Sequence, residues 1–213
     1  MGHYLPQIGL AYAAVVLGML SPGPNILSVV STSMGVGRPA GIAQALGLAA
    51  GSLLWGTLTA AGLTALIAAY AGVMTTIKVA GGFYLLWLAF KSFRSAARRS
   101  PPLHLQKSAA ATKQGTPLGF FLRGVAIQAT NPKAALTWIA IMSLGLGADA
   151  PAWVALAIVS GATVISAAGH MLYAVAFSTE RVVAVYARAR RGIEAGLGVF
   201  FGVVGIKLLT SRA

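Results

Sequence analysis

The sequence predicts an all-α integral membrane protein with six transmembrane helices in two inverted three-helix repeats, and with the first and fourth helices broken at prolines. The composition, the spacing of the apolar runs and the position of two proline breaks lead to this prediction. Of the 213 residues, 57% are hydrophobic and only 9% are charged, and the mean hydropathy is +0.80. Such a composition is typical of proteins that fold in a bilayer.

Six apolar runs are each near or above the roughly 18 to 20 residues that a spanning helix needs. They cover residues 7–33, 41–69, 74–93, 118–146, 151–178 and 193–210. Positions 1–20 contain neither Lys nor Arg, and the first run is too long for a secretory signal. We therefore expect the N-terminal segment to be retained.

Two proline breaks lie at matching depth in the first and fourth runs. The first is Ser21-Pro22-Gly23-Pro24-Asn25, and the second is Thr130-Asn131-Pro132-Lys133. Because proline lacks an N–H and leaves the carbonyl four residues back unpaired, irregular backbone persists at mid-membrane depth only where it lines a protein cavity or water. A single proline in a membrane helix more often only kinks it for packing. Two breaks at equivalent depth instead indicate a transport site.

The basic residues fall mostly on one side of the predicted membrane. Lys78, Lys207 and Arg212 lie on the other side, and Lys133 is placed inside the membrane. By the positive-inside rule, this bias puts both termini outside the cytoplasm. The net charge of +13 then reflects topology and anionic lipid headgroups rather than nucleic-acid binding. Twelve of the sixteen basic residues lie in or beside three alternate loops: Arg38, Lys91, Arg94, Arg98, Arg99, Lys107, Lys113, Arg123, Arg181, Arg188, Arg190 and Arg191.

A polar segment divides the chain into two groups of three helices. Residues 95–117 are rich in Ser, Ala, Pro and basic side chains, show no helical or strand periodicity, and are predicted to form a flexible cytoplasmic linker. The first three-helix repeat then covers 1–94 and the second 118–213. Because each repeat has an odd number of spans, the second inserts upside down, and we expect a site at the interface of the two.

The inventory of reactive side chains argues against an enzyme. The sequence contains no cysteine, and therefore neither disulfides nor thiolate ligands. Its three acids, Asp149, Glu180 and Glu194, are expected in loops or at helix ends, which leaves no paired carboxylates for acid–base catalysis. Its three histidines show no metal-ligand spacing. We expect no catalytic residues, no metal site and no cofactor.

The two breaks provide the predicted binding groups. Each restarts a helix whose first N–H groups, at 25–27 and 133–135, favour a carboxylate, because a helix N-terminus carries partial positive charge. The freed carbonyls of Gly18, Leu20 and Gln128 are acceptors suited to an ammonium group or water. Together these groups match an α-amino acid zwitterion. The predicted substrate-binding residues are Ser21, Pro22, Gly23, Pro24, Asn25, Gln128, Asn131, Pro132 and Lys133.

Two ionisable residues are of particular interest. An ammonium at bilayer depth costs roughly 2.5 to 3.5 kcal/mol unless it is paired or hydrated, so Lys133 either holds a substrate carboxylate, caps carbonyls of the opposing break, or snorkels towards the interface. His170, in the fifth helix, is the intramembrane side chain that titrates nearest neutral pH. It is the proton-coupling candidate, although a lone buried histidine is more often simply hydrogen-bonded.

Glycines four residues apart predict close packing between helices. Such pairs occur on the second and sixth predicted helices. They are Gly47/Gly51, Gly192/Gly196 and Gly198/Gly202.

Four stretches carry a family resemblance: 20–25 (LSPGPN), the second helix from Gly37 through 45–48 (ALGL), 78–88 (KVAGGFYLLWL) and 131–135 (NPKAA). In order and spacing they resemble the LysE/RhtB family of lysine and homoserine/threonine exporters, over nearly the whole chain. The resemblance implies an inner-membrane exporter of amino acids or close derivatives, driven by proton exchange and assembled as a homo-oligomer.

Two positions depart from the family pattern. Many members carry an acidic or amide residue after the second-helix glycine, whereas Ser52 follows Gly51 here, and His170 stands where acidic or aromatic residues often occur. If the family carboxylate carries the proton, this protein uses another group, such as His170, or acts as a facilitator.

Several functions remain open at this point. The near absence of buried acids favours a neutral substrate, resembling threonine, homoserine or leucine, over a strongly cationic one such as lysine. The alternatives are an exporter of another small metabolite or ion, and a membrane scaffold or assembly protein. A scaffold predicts no stabilisation by a substrate.

Overall fold

A computed structural model describes residues 4–20, 24–69, 73–97, 115–146, 150–177 and 179–210. These residues form α-helices joined by short connections, and no strand occurs among them. The helices are α1 Leu5–Leu20, α2 Pro24–Gly35, α3 Arg38–Ala69, α4 Val73–Ala97, α5 Pro117–Ala129, α6 Pro132–Gly145, α7 Ala152–Ala176 and α8 Glu180–Thr210. The prediction of an all-α chain is confirmed for this part of the protein.

The helical path is interrupted at both predicted proline positions. Helices α1 and α2 share the first apolar run and are bent by 50° relative to each other, while α5 and α6 share the fourth run and are separated by Thr130 and Asn131. By length and hydropathy, Arg38–Gly62, Ala152–Ala176 and Arg188–Thr210 are able to span a membrane, and the bent α1–α2 pair would make a fourth span. The count of six spans stays a prediction.

Helix α8 differs from the prediction, because it begins at Glu180 rather than near residue 193. Its polar first half is anchored to the end of α4: Arg190 Nη2 donates to Ser95 Oγ at 3.1 Å, and Arg191 Nε donates to the Ala96 carbonyl at 3.2 Å. These bonds hold α8 against the end of α4, a contact that hydropathy alone does not reveal. The expectation that Glu194 lies in a loop or at a helix end was therefore wrong.

The predicted linker is shorter than 95–117. Residues 95–97 continue α4, and Pro117 begins α5. Positions 98–114 lie outside the described residues, as does Asp149. The flexible linker and the division into two repeats therefore stay predictions.

Helices from the two halves of the chain pack against each other throughout. Helix α3 packs along α5 and α7, and α4 packs along α8 and α6, while α1 contacts α6 and α7. Each buried apolar cluster draws on both halves: Ile8 with Trp138 and Ile158 in one, and Leu85 with Leu197 in another. The centre of the molecule is consequently formed by α1, α6 and the facing sides of α3, α4, α7 and α8.

Glycines let α3 and α5 approach to backbone contact. A Cβ on Gly47 would collide with the backbone of Phe121, and one on Gly124 would collide with the carbonyl of Gln44. A Cβ on Gly51 would lie 2.7 Å from Cβ of Gln128, so this contact positions a predicted site residue.

The glycine pairs of α8 pack only in part. A Cβ on Gly198 would lie 2.7 Å from the Phe93 ring of α4, and one on Gly202 would touch Ala89 at 3.9 Å. Gly192 and Gly196 pack against none of the described helices, because no atom of another helix lies within 4 Å of the Cβ position of either, and their role in packing stays a prediction. They occupy a face of α8 that none of the described helices covers.

Candidate functional site

The two proline breaks are joined by a chain of side-chain amides. Asn25, in the first turn of α2, donates from Nδ2 to Oε1 of Gln128, in the last turn of α5. Asn131, between α5 and α6, donates from Nδ2 to Oδ1 of Asn25 at 3.0 Å. Three predicted site residues therefore meet in one hydrogen-bonded cluster, in which Asn25 lies more than a hundred positions from the other two.

Asn131 also caps α6. It has extended backbone angles, and its Oδ1 accepts from the Lys133 N–H at 3.0 Å, while its carbonyl accepts from the Ala134 N–H at 2.9 Å. Asparagine at this position satisfies N–H groups that the helix itself leaves without partners. The expectation that the N–H groups of 133–135 are free to hold a carboxylate was wrong, because the cap occupies them.

Aromatic side chains donate to the carbonyls of Leu20 and Gln128, two of the three that the breaks were predicted to release. The Tyr186 hydroxyl donates to the Leu20 carbonyl at 3.2 Å, and Trp55 Nε1 donates to the Gln128 carbonyl at 3.1 Å. The neighbouring Met19 carbonyl accepts from the Tyr173 hydroxyl at 2.8 Å. The prediction that Leu20 and Gln128 offer open acceptors was thus wrong, since an unpaired carbonyl inside an apolar protein is costly and these donors remove that cost.

A cavity of about 380 Å³ lies beside the amide cluster, at the centre of the molecule. Its wall includes Asn25, Gln128, Asn131 and Lys133 from the predicted site, together with His170. Ser21, Pro22 and Gly23 lie outside the described residues, while Pro24 and Pro132 begin α2 and α6. The structure thus brings together the described polar residues of the predicted site and the proton-coupling candidate around one space.

The cavity contains more charge than the sequence analysis assigned to it. Lys133 is half-buried in its wall, and Lys91 of α4, Arg190 and Glu194 of α8 line it as well. Lys133 interacts electrostatically with both Lys91 and Glu194. Sequence reasoning placed these α4 and α8 residues near loops, although Arg190 and Glu194 are four residues apart, the spacing that puts two side chains on one helix face.

His170 is buried on α7, with Nδ1 at 2.8 Å from the Ser166 carbonyl and 3.3 Å from Ser166 Oγ. On the α3 side of the cavity, Trp138 Nε1 donates to Ser52 Oγ at 3.1 Å. Ser52, the residue that departs from the family pattern, therefore contributes a small neutral acceptor to the wall.

Within the described ranges, no group of three or more His, Asp or Glu side chains is placed to hold a metal ion. The arrangement provides amides, hydroxyls, cations and one carboxylate around a space of metabolite size. Such a wall suits reversible binding of a small polar molecule.

Comparison with known proteins decides the family. The model of the LysE-type translocator family matches residues 16–212. The chain belongs to the LysE-type translocator family. The resemblance deduced from the four sequence stretches is thereby confirmed, and the chain is a membrane protein of a transporter family.

Curated LysE-type relatives include proteins with assigned and unassigned activity. "Uncharacterized membrane protein YahN" of Escherichia coli K12 is 32% identical over 206 residues, covering 96% of this chain and 90% of the relative. "Threonine efflux protein" of Salmonella typhi is 27% identical, covering 92% of this chain and 94% of the relative. "Leucine efflux protein" of Salmonella choleraesuis is 31% identical, covering 62% and 60% respectively. No solved structure matches the chain significantly.

Proposed function

We propose that this LysE-type protein is a secondary transporter that exports small neutral α-amino acids, of the threonine, homoserine or leucine kind, across the inner membrane by proton antiport. The observation that carries the proposal is the direct contact between the two breaks, through Asn25, Gln128 and Asn131, at the wall of a central cavity. Irregular backbone at the centre of a membrane protein is expected where it lines a path for substrate. The efflux activity named for the threonine and leucine relatives supports the direction of transport.

The proposed architecture is six spans in two inverted repeats, with α1–α2 and α5–α6 as the broken spans. Corresponding helices of the two halves make corresponding contacts, which supports this arrangement: α3 packs on α5 as α7 packs on α1, and α3 meets α6 as α7 meets α2. The pairs α3–α7 and α4–α8 then lie across the axis that relates the repeats. Both termini are proposed to be outside the cytoplasm. Because the chain lacks cysteine, single cysteines at Gln106 and Arg212 would test this orientation by labelling from either side.

The substrate is proposed to lie in the central cavity with its carboxylate on Lys133. A volume of about 380 Å³ is at the small end of ligand pockets, which suits an amino acid rather than a larger metabolite. Cationic side chains outnumber Glu194 in the wall, and they would repel a substrate with a net positive charge. This balance favours neutral amino acids over lysine.

Proton coupling is proposed to involve His170, which lines the same cavity on α7. An imidazole takes up and releases a proton without large rearrangement, and a substrate bound beside it changes that equilibrium. Export against a gradient is then driven by proton entry. Movement of one charge is worth about 2.3 kcal/mol per 100 mV of membrane potential, which is sufficient for the coupling.

Exchange in proteoliposomes tests the proposal. Vesicles loaded with unlabelled L-threonine or L-leucine should take up the labelled amino acid, and Lys133→Met should reduce this uptake at least about tenfold, because a charge-assisted bond to the carboxylate is lost. Lys207→Gln is the matched control, since this lysine is exposed on α8 and is not part of the cavity wall. Absence of exchange with every neutral amino acid, or full exchange by Lys133→Met, would contradict the proposal.

A further inference from the structure

Glu194 is a carboxylate held inside the molecule. It lies in the middle of α8, within the apolar segment Arg188–Thr210, and only 3% of its surface is exposed. It lines the cavity that also contains Lys133. Acidic side chains are rare within membrane-spanning segments and usually mark a substrate or ion path, because a carboxylate loses its hydration there.

Cationic side chains from several elements line the same cavity as Glu194. Arg190 precedes it by one turn on α8, Lys91 comes from α4, and Lys133 comes from the first turn of α6. Helix α7 contributes His170 to the same wall, and α1 contains no charged residue. Glu194 and Lys133 interact electrostatically across this space. The cavity therefore presents a carboxylate and an ammonium that face the same volume.

A zwitterionic substrate needs an acceptor for its ammonium group, and two of the three backbone carbonyls predicted to supply one already have donors. The Leu20 carbonyl accepts from Tyr186, and the Gln128 carbonyl accepts from Trp55. On the donor side, the N-terminal N–H groups of α6 are bonded to Asn131. Charged side chains of the cavity wall are therefore the strongest partners available to the charged ends of the substrate.

We propose that Glu194 receives the α-ammonium group of the substrate while Lys133 receives its carboxylate. This inference rests on the proposed function and adds the residue that selects for the amine. The zwitterion inserts between two opposite charges that interact with each other when the cavity is empty, so both charges stay compensated during binding and release. A substrate without an amine places a neutral group beside Glu194, so this carboxylate does not increase its binding affinity.

The test compares amino acids with analogues in which a hydroxyl replaces the amine. L-leucine and 2-hydroxy-4-methylpentanoate form one such pair, and L-threonine and 2,3-dihydroxybutanoate form another. Affinity is measured by titration calorimetry on the purified full-length protein and by competition in the exchange assay. In Glu194→Gln we expect a loss of about 10- to 100-fold for the amino acid, the range for a charged hydrogen bond, and no loss for the hydroxy acid.

Three further variants serve as controls for this result. Lys133→Met should weaken both members of a pair, because both have the carboxylate, whereas Lys207→Gln should weaken neither. Glu194→Asp keeps the charge and should retain the preference for the amine, which provides a second measurement if the glutamine variant does not fold. The thermal unfolding temperature of each variant reports folding separately from binding.

Three outcomes would overturn the inference. In the first, Glu194→Gln binds the amino acid with the affinity of the parental protein. In the second, Glu194→Gln loses the same affinity for the amino acid and for its hydroxy analogue. The third is unchanged exchange combined with loss of transport driven by a pH gradient, which would make Glu194 a proton carrier instead of an ammonium ligand. Failure of the proposed function gives a different result: the parental protein then binds no amino acid at all. This measurement is made before any variant is compared.

Discussion

Asn131 Nδ2 donates a hydrogen bond to Asn25 Oδ1 at 3.0 Å, although the two residues are 106 positions apart. The same Asn25 side chain donates to Gln128, so one asparagine of the first break is bonded on both of its polar atoms to the second break. Each interruption therefore depends on hydrogen bonds with the other half of the chain. The two breaks stabilise each other, and the cavity wall depends on both.

Replacement of Asn131 by alanine is expected to lower both stability and transport. The change removes the α6 cap, which is worth about 0.5 to 2 kcal/mol, and also the bond to Asn25. Thermal unfolding in detergent and amino-acid exchange measure the two effects. Thr116→Ala is the control, because it removes the equivalent cap of α5, where Thr116 Oγ1 accepts from the Gly119 N–H at 3.1 Å. Thr116→Ala should lose stability but keep exchange, and equal loss of exchange in both variants would contradict a role of Asn131 in the site.

Gly124→Ala is expected to destabilise the protein, because the added Cβ would overlap the Gln44 carbonyl and lie 2.9 Å from the Leu48 nitrogen. Helices α3 and α5 would have to separate, at a cost of about 1 to 3 kcal/mol for an overpacked contact. Gly196→Ala is the matched control on α8, since nothing lies within 4 Å of its Cβ position. Its unfolding temperature should be unchanged or slightly raised, because alanine favours helix. A parental unfolding temperature in Gly124→Ala would show that the α3–α5 contact is looser than described.

Tyr173→Phe removes only the hydroxyl that donates to the Met19 carbonyl at 2.8 Å. Because Tyr173 is buried, the carbonyl loses its donor without gaining water, and we expect a loss of about 1 to 3 kcal/mol in unfolding free energy. Tyr186→Phe is the companion variant: its bond to the Leu20 carbonyl is longer, at 3.2 Å, and exposed, so the loss of this weaker hydrogen bond should cost less. Chemical denaturation in detergent should rank Tyr173→Phe below Tyr186→Phe. The reverse order would exclude the proposed role of burial.

His170→Gln should uncouple transport from the proton gradient. Glutamine keeps a polar side chain but does not titrate, so amino-acid exchange should persist while export no longer responds to an imposed pH gradient. Fluorescent recording of internal pH in the same vesicles should show no substrate-dependent proton flux. Ser160→Ala, on the exposed side of α7, should behave as the parent. A normal gradient response in His170→Gln would assign coupling to another group.

Much of the helical arrangement was predictable, because it depends on local properties of the chain. Long apolar runs mark the helices, and Pro24 and Pro132 lack the N–H that a continuous helix needs, so both interruptions follow from residue type. The polar half of α8 was not predictable from hydropathy. Its helix is held by Arg190 and Arg191 on the end of α4, and this contact joins segments almost a hundred positions apart.

The candidate site shows the same division between local and distant effects. Asn25, Gln128, Asn131 and Lys133 were identified as polar groups beside a break, which is a property of neighbours in sequence. The sequence did not predict which backbone carbonyls beside the breaks are already hydrogen-bonded. Their donors, Trp55 and the tyrosines of α7 and α8, lie on other helices.

By itself, the sequence determined that this LysE-type chain is helical, apolar and interrupted at two proline positions, since composition and backbone chemistry act residue by residue. Only the tertiary structure decided that the two interruptions bond to each other and that the carbonyls of Leu20 and Gln128 have side-chain donors. It also decided that Glu194 faces the cavity of Lys133. The physical reason is that hydrogen bonds and burial depend on which surfaces meet, and helix packing brings distant residues together in ways that no local pattern records.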